Sequence, residues 1–387
     1  MSRILSGPFD AVISRRGTGS NKWSRYDEDV LPLWVADMDF AVPECVAQAV
    51  AERAAHKVYG YAAPPPELRS VLVEDLAARF DWHVSEEAIV FLPGVEPGIS
   101  MALAAFLKAG DGVAQHTPAH RPLLRAPGFW HMRHVDLPLE WDGETWSTDT
   151  DLQRKALAQA RALILCNPQN PTGKVFSRGE LEELGEQAIA HDLLIISDEI
   201  HGDLLFDGRR HIPIAGLSPE IARRTITLMS PGKTFNTSGL KAAFAVIPDP
   251  DLRRRFDAHR MGMVDSVNAF GLVAMQAAYR DGGPWREGLL SYLQANRDWL
   301  AGAVREMLPG FAMHAPEATF LAWLDGRAAG IKGSPQRHFL DHARVALSAG
   351  EDFGEAGHGF VRLNFGAPRA TLIEAITRMN RSLTQAG

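Results

Sequence analysis

Apolar residues along the chain switch repeatedly between helical spacing and short continuous runs. Residues 43–57 begin with a proline and are rich in alanine, and residues 67–80 carry an apolar stripe, so both segments are predicted to be helices. Buried strands are predicted at the short apolar runs 88–92, 162–166, 193–197, 225–229 and 242–247. Further helices are predicted at 97–109 and 180–191. The alternation predicts an α/β fold with a doubly wound, mostly parallel sheet.

Three of the predicted strands end in polar turns rich in glycine or proline. The turn 93–96 follows the first strand, NPQNPTG (residues 167–173) follows the second, and Asp198 follows the third. Open α/β sheets bind their ligands at the ends where such turns gather. The helix that opens after the turn 93–96 presents backbone N–H groups, which attract an anion such as phosphate.

The pattern changes after Pro284, where a smaller α+β unit is predicted. It comprises a long helix at 285–308, strands at 311–316, 319–324 and 360–364, and helices at 335–346 and 368–383. We expect three parts: an N-terminal segment (1–42) that packs with the small domain, a large domain (43–284) and a small C-terminal domain (285–387).

Composition and charge exclude several classes of protein. The chain has 387 residues and a formal charge of -7, which offers no basic surface for nucleic acid. No apolar run is long enough for a membrane span, and the first twenty residues do not form a secretory signal. The two cysteines, Cys45 and Cys166, lie far apart, which suits a reducing cytoplasm. His131 and His134 lack further ligands at a useful spacing, so we expect no metal site.

The stretch MSPGKTFNTSGLK (residues 229–241) poses a chemical choice for its lysine. Gly232, Lys233 and Thr234 resemble the end of a phosphate-binding P-loop, but that pattern requires a glycine where Thr227 stands, and a strand follows instead of a helix. The other chemical use of a lysine in such a turn is as an amine nucleophile that forms a Schiff base with an aldehyde cofactor. A solvated surface lysine is the remaining interpretation.

Polar residues at the ends of successive strands favour the interpretation of Lys233 as an amine nucleophile. Asn170, Asp198, His201, Lys233 and Arg362 occur in this order. An enzyme that uses pyridoxal 5'-phosphate (PLP) needs such a set: an amine for the aldehyde, a carboxylate for the pyridine nitrogen and donors for the ring hydroxyl. It also needs an arginine to grip a substrate carboxylate with two hydrogen bonds. The sequence therefore predicts PLP as cofactor and an amino acid as substrate.

Almost the whole chain resembles the aspartate-aminotransferase-like (fold type I) PLP enzymes, specifically their MalY/PatB-type cystathionine β-lyase branch. The motifs that carry this resemblance are LPLWVADMDF (31–40), YGY (59–61), NPQNPTG (167–173), SDEIH (197–201), KTFN (233–236) and RLNFG (362–366). NPQNPTG and KTFN are typical of the fold in general. The WVADMDF and SDEIH stretches are narrower and favour the lyase branch.

The resemblance implies roles for individual residues, in a three-layer large domain with a smaller α+β domain. Lys233 is expected to be the catalytic lysine, Asp198 the partner of the pyridine nitrogen, and Asn170 and His201 the groups around the ring hydroxyl. The resemblance also implies a homodimer with shared active sites. It implies further contacts in three sets: phosphate at Gly94, Val95, Ser230, Lys241 and, from a second subunit, Tyr61; the cofactor ring at His120; substrate at Arg362 and the loop at Asp37.

The chain departs from the family pattern at three positions. Gly232 stands where family members usually have serine, which removes one hydroxyl from the turn that contains Lys233, here called the lysine turn. His120 replaces a tyrosine that normally stacks on the cofactor, and we expect this histidine to titrate near neutral pH. Glu96 lies beside the expected phosphate turn, where its charge would repel phosphate, so we expect its side chain to point away.

The resemblance implies α,β-elimination on cystathionine or cysteine-type thioethers, with release of a thiol, pyruvate and ammonia. Transamination is the alternative, because Lys233 and Asp198 serve both reactions. A regulatory protein that uses the same fold is a second alternative, and an intact lysine and aspartate argue against a purely non-catalytic one.

Overall fold

A seven-stranded sheet forms the centre of the structure, a computed structural model that describes residues 7–142, 145–260, 263–264 and 266–384. Six strands run parallel, and Ala243–Val246 runs antiparallel to both of its neighbours. In spatial order the strands are Ile89–Leu92, Ala243–Val246, Thr225–Met229, Leu194–Asp198, Ala162–Cys166, Gly112–Thr117 and Arg133–Pro138. The predicted mostly parallel α/β sheet is confirmed.

Helices cover both faces of this sheet, which makes three layers. Along Ala243–Val246, Phe244 and Val246 pack in one apolar cluster while Ala243 and Ala245 pack in another, as expected for a strand with alternating side chains. The α-helices with eight or more residues are Glu44–Ala55, Leu68–Phe80, Val95–Phe106, Arg121–Phe129, Thr150–Leu157, Arg178–Ala190, Pro250–Ala258, Ala269–Asp281, Gly283–Met307 and Arg369–Thr384. The four-residue helices are Asn21–Ser24, Pro219–Ala222, Pro231–Thr234 and Pro335–His338. None of these described helices combines the length and apolar character needed to cross a membrane.

A capping box sets the start of the helix Arg178–Ala190. The Ser177 hydroxyl accepts from Glu180 N at 3.3 Å, and the Glu180 carboxylate accepts from Ser177 N at 2.8 Å. Both bonds satisfy backbone donors that the first turn leaves without partners, so the helix begins two residues before the predicted position.

A smaller antiparallel sheet follows in the C-terminal part of the chain. Its order is Ala312–Met313, Leu321–Asp325, Phe360–Asn364 and Ser348–Ala349. Residues of the N-terminal segment share its apolar cluster: Phe9, Leu33, Met38 and Phe40 are buried with Leu289, Leu321, Leu363 and Phe365. The three-part division at residues 42 and 284, with the N-terminal segment assigned to the small domain, stays a prediction.

The helix predicted at 335–346 is wrong in its last three residues. Pro335–His338 is α-helical, Phe339–Ala343 forms a π-helical turn, and Arg344 has a left-handed backbone with φ 54° that ends it. The next residues, Val345–Ala346, instead form a parallel bridge with Leu31–Pro32. Pairing with a distant segment thus overrides the local helical pattern.

Candidate active site

A cavity of about 430 Å³ lies at the carboxyl ends of the parallel strands and collects most of the predicted site residues. Nine of the twelve line it: Gly94, Val95, His120, Asn170, Asp198, His201, Ser230, Lys233 and Lys241. They come from distant parts of the chain and meet because parallel strands end at the same edge of a sheet.

Lys233 lies in the one-turn helix Pro231–Thr234, directly after a central strand. Its Nζ donates to Ala36 O at 2.7 Å. Burial and the positive charge of Arg362 lower the pKa of this amine to about 8, although the charge of Asp37 opposes them. The neutral, nucleophilic form of the amine is therefore more populated near neutral pH than in an ordinary lysine.

Asp198 ends the strand Leu194–Asp198 and is buried. Burial raises the pKa of its carboxyl to about 7, and the charge of Glu96 adds to this rise. Ile200 N donates to Asp198 Oδ1 at 3.2 Å. The positive charge of Lys233 lowers the pKa of Asp198, but no cationic side chain of the described residues forms a direct ion pair with it. A positively charged ring nitrogen beside this carboxylate would supply the missing partner.

Arg362 reaches the cavity residues from the smaller sheet. Its Nη1 donates to Asn170 Oδ1 at 2.9 Å and its Nη2 to Trp34 O at 3.1 Å. Its Nε is buried with no hydrogen-bond partner among the described residues. Burial lowers the pKa of Arg362 to about 10, so the guanidinium stays charged near neutral pH and has a donor to spare for an anion.

His201 lines the same cavity as Asn170. Its Nδ1 is buried and has no partner in the described part of the chain. Burial first, and then the positive charges of Lys233 and Arg362, lower its pKa well below the ordinary value, so the ring is neutral. A neutral imidazole can donate from one nitrogen and accept at the other, which suits a contact with a ring hydroxyl.

The start of the helix Val95–Phe106, whose N-cap is Gly94, forms part of the cavity wall. Backbone N–H groups in a first helical turn favour an anion, and Lys241, with a left-handed backbone at φ 51°, adds a positive charge to the same wall. Ser230 lines the same cavity and bonds to its own backbone neighbourhood. Its hydroxyl donates to Ala242 O at 2.7 Å and accepts from Gly232 N at 3.0 Å, so its use for phosphate stays a prediction.

The expectation that the Glu96 side chain points away from the phosphate turn is wrong. Glu96 lines the cavity, and its charge raises the pKa of Asp198 and of Lys233. The residue is exposed and lies in the first turn of its helix, where hydration and the helix dipole both stabilise a carboxylate.

His120 also differs from the expectation. It lines the cavity, but burial and the charges of Arg362 and Lys233 lower its pKa to about 3. The expected titration near neutral pH is therefore wrong, because two cations and the loss of water both disfavour the imidazolium form.

Glycine at position 232, where family members usually have serine, is explained by Ser238, a residue that the sequence analysis did not single out. A Cβ on Gly232 would lie 3.1 Å from the hydroxyls of both Ser230 and Ser238. Ser238 lines the cavity, and its Oγ donates to Gly232 O at 3.0 Å. The glycine thus leaves room for a hydroxyl that arrives from six residues later, and the only signal in the sequence is the extra serine itself.

Three predicted residues, Tyr61, Asp37 and Arg362, do not line the cavity themselves, although Arg362 bonds to Asn170 on its wall. Tyr61 is fully exposed and does not line the cavity of its own chain, and its predicted contact from a second subunit stays a prediction. The loop at Asp37 lines the cavity through Ala36, while the Asp37 carboxylate pairs with Arg15 Nη2 at 2.7 Å.

The residues present fit PLP on the structure's own terms. Within the described part of the chain, a buried carboxylate without an ion-pair partner, a buried imidazole nitrogen without a hydrogen-bond partner and an amine of lowered pKa surround one cavity. A helix N-terminus with a lysine stands at its end. These are the groups that a pyridine nitrogen, a ring hydroxyl, an aldehyde and a phosphate require.

Known proteins resemble this chain over nearly its full length. Residues 28–379 match the family described as aminotransferase class I and II. Cystathionine β-lyase PatB of Bacillus subtilis (strain 168) is 38% identical over 392 residues, which cover 97% of this chain and 100% of that protein. The crystal structure of OvoB has 44% identity and a TM-score of 0.93, covering 97% of this chain and 99% of that one. The PLP-bound C–S lyase of Staphylococcus hominis has 32% identity and a TM-score of 0.92, with the same coverage.

Proposed function

The chain belongs to the class I and II aminotransferase family, in its PatB/MalY-type cystathionine β-lyase branch, and we propose that it is a PLP-dependent carbon–sulfur β-lyase. Its substrates would be cystathionine or cysteine-type thioethers, cleaved by α,β-elimination to a thiol, pyruvate and ammonia. One observation carries the proposal: Lys233, Asp198 and Asn170 meet at one cavity, with Arg362 bonded to Asn170.

The catalytic work falls to Lys233 and Asp198. When bound, PLP supplies an electron sink that stabilises negative charge at the substrate Cα. Lys233 would hold the cofactor through its amine and, once free, would take the Cα proton. Its lowered pKa supports this use as a base, because a larger fraction of the amine is unprotonated near neutral pH than for an ordinary lysine. Asp198 would keep the pyridine nitrogen protonated from the end of its buried strand.

The remaining residues would bind and orient. Arg362, with one buried donor free of partners, would hold the substrate carboxylate. Asn170 and His201 would contact the ring hydroxyl, and His120 would lie on the ring. The phosphate would be held by Gly94, Val95, Ser230 and Lys241.

The assay that separates elimination from transamination uses purified protein with cystathionine, with and without a keto acid. Pyruvate and thiol formed without the keto acid would support the lyase. Product formation that depends strictly on the keto acid would favour an aminotransferase. Lys233→Ala is expected to abolish activity, and Lys332→Ala, an exposed lysine outside the cavity, serves as the matched control.

We further propose a cytoplasmic homodimer in which Tyr61 completes the partner's site. The full exposure of Tyr61 in a single chain supports this, because a tyrosine rarely leaves its whole ring in water. The free thiols of Cys45 and Cys166 suit a reducing compartment.

Shared sites can be tested with two defective variants. Lys233→Ala and Tyr61→Ala each spoil both sites of their own dimer. A mixed dimer would contain one site with both residues intact, so activity should return on subunit exchange. Mixing that restores nothing, in a sample shown to exchange subunits, would contradict the shared site.

A further inference from the structure

Residues 34–40, which we call the strap, run beside the cavity with their backbone carbonyls held by side chains. The donors come from the lysine turn, from the end of the smaller sheet and from the N-terminal segment. Six strap carbonyls accept such bonds: those of Trp34 (from Arg362), Val35 and Asp37 (from Asn364), Ala36 (from Lys233), and Met38 and Phe40 (from Asn236).

The carbonyl of Ala36 is the part of the strap that meets the reactive amine. Asn364 Nδ2 fixes the carbonyls on either side, donating to Val35 O at 2.7 Å and to Asp37 O at 2.8 Å. Between them, Ala36 O accepts from Lys233 Nζ at 2.7 Å. The position of one peptide unit therefore decides where the free amine rests.

A buried ion pair holds the other side of the strap. Lys22 has a fully buried side chain, and its Nζ donates to Asp39 Oδ2 at 2.7 Å and to Asp37 O at 2.8 Å. Asp39 Oδ1 accepts from Trp23 Nε1 at 2.9 Å and from Arg15 Nη1 at 3.0 Å. Asp37 O thus has two donors, one from each side of the strap.

A buried ammonium is an expensive way to gain stability. Burial lowers the pKa of Lys22, and the negative charge of Asp39 only opposes this effect. Ion pairs of this kind are often replaceable by apolar side chains without loss of stability, whereas their directional bonds fix one arrangement of the backbone. Positioning of the backbone therefore explains the Lys22–Asp39 pair better than stabilisation of the fold does.

We propose that Lys22 is a positioning residue for Lys233. Through Asp37 O and Asp39, it holds the strap so that Ala36 O receives the Lys233 amine. The held amine then faces the cavity when the apoprotein captures its aldehyde cofactor, and again when the free amine takes the substrate's Cα proton. The effect on removal of the Cα proton rests on the proposed lyase function, whereas the effect on capture of the cofactor does not.

The test compares full-length Lys22→Met with wild type in two measurements. Capture of PLP by the apoprotein, followed by absorbance, is expected to slow at least about tenfold, because a misplaced nucleophile loses its orientation. In the loaded enzyme, kcat is expected to fall similarly with KM within about twofold, since Lys22 does not line the cavity. Lys22→Arg, which keeps the charge, should recover part of both rates.

Lys174→Met is the matched control. Lys174 is also buried and pairs with Glu180 at 2.8 Å, but it makes no contact with the strap among the described residues. If Lys22→Met and Lys174→Met lose similar thermal stability and capture PLP at rates within twofold of each other, Lys22 is merely structural and the proposal is wrong.

A milder variant covers the case in which Lys22→Met does not fold. Arg15→Met removes bonds to Met38 O, Asp37 and Asp39 from a partly exposed position, and it should slow capture in the same direction by a smaller factor. An unchanged capture rate would overturn the proposal. A wild type that captures PLP without cleaving thioethers would contradict the lyase function, while the capture rates still decide the positioning function on their own.

Discussion

Arg362 Nη1 donates to Asn170 Oδ1 at 2.9 Å, which joins the smaller sheet to the turn that follows a central strand of the larger one. Both residues are buried. The group expected to hold the substrate carboxylate and the group expected to contact the cofactor ring therefore share one bond, and a change in either should alter the position of the other.

Asn170→Ala tests this link. Loss of the acceptor leaves a donor of a buried guanidinium without its partner, and bonds to charged groups contribute about 1.5–3 kcal/mol. We expect KM for the thioether to rise at least about tenfold. Steady-state kinetics check this, with Asn380→Ala as the control because Asn380 bonds to Met307 O, outside the cavity. An unchanged KM would show that Arg362 keeps its position without Asn170.

Removal of Arg362 should also change the titration of Lys233. The positive charge of Arg362 lowers the pKa of the Lys233 amine, so Arg362→Met should move this pKa upward from about 8. The neutral amine captures the aldehyde, so the pH midpoint of PLP capture by the apoprotein should rise. Arg327→Met, at an exposed position, should leave the midpoint unchanged, and a downward movement for Arg362→Met would contradict the electrostatic account.

His120→Tyr should leave the pH profile unchanged between about pH 6 and 8. The pKa of His120 is lowered to about 3, so the imidazole is already neutral in this range, and a tyrosine is neutral there too. Cofactor should stay bound, because both rings can stack. The checks are the pH dependence of kcat/KM and the retained absorbance of the cofactor. If the acidic or basic side of the kcat/KM pH profile shifts by more than about half a pH unit, His120 titrates during catalysis.

Gly232→Ser should destabilise the lysine turn by about 1–3 kcal/mol, through crowding against two hydroxyls. Ser238→Ala removes one of them, so the cost of Gly232→Ser should be smaller in that background. Urea unfolding of the two single variants and the double variant measures the coupling. Additive effects would mean that Ser238 does not fill the space beside Gly232.

Asp198→Asn should change how apoprotein stability depends on pH. The folded-state pKa of Asp198 is raised to about 7, above the usual value of about 3.9, so wild type loses stability from this group as pH rises between the two. The loss is on the order of 4 kcal/mol at pH 8, and the asparagine variant should not show it. Measurements of the free energy of unfolding at pH 4 and pH 8 test this. Added PLP should stabilise wild type more than the variant, because only wild type has a carboxylate for the pyridine nitrogen.

The strands of the central sheet could be predicted where apolar runs end in strong turn signals. Thr225–Met229 and Ala162–Cys166 match their predicted positions. Gly112–Thr117 was not predicted, because Gln115 and His116 interrupt its apolar pattern. Both are buried in the structure, and Gln115 Nε2 donates to Leu123 O at 2.7 Å. A partner eight residues away cannot be seen in the periodicity of a strand.

The candidate site divides in the same way. Lys233 and Asp198 could be named because their motifs are local and lie at strand ends. Lys22 could not, since a lysine in a polar N-terminal stretch is ordinarily solvated, and only its position against Asp39 reveals the buried pair. The titration of His120 was beyond the sequence for a related reason, because its pKa depends on burial and on cations from distant segments.

The strap has a consequence for how the protein is made. Ala36 O accepts from Lys233, which lies 197 positions further along the chain, and Val35 O accepts from Asn364, which lies 329 positions further along. The ribosome releases the N-terminal segment long before either partner has been synthesised. This segment must therefore remain without its final contacts until translation is nearly complete. A nascent chain cut short before Asn364 would contain both the strap and Lys233 but would lack the side chain that holds the Val35 and Asp37 carbonyls.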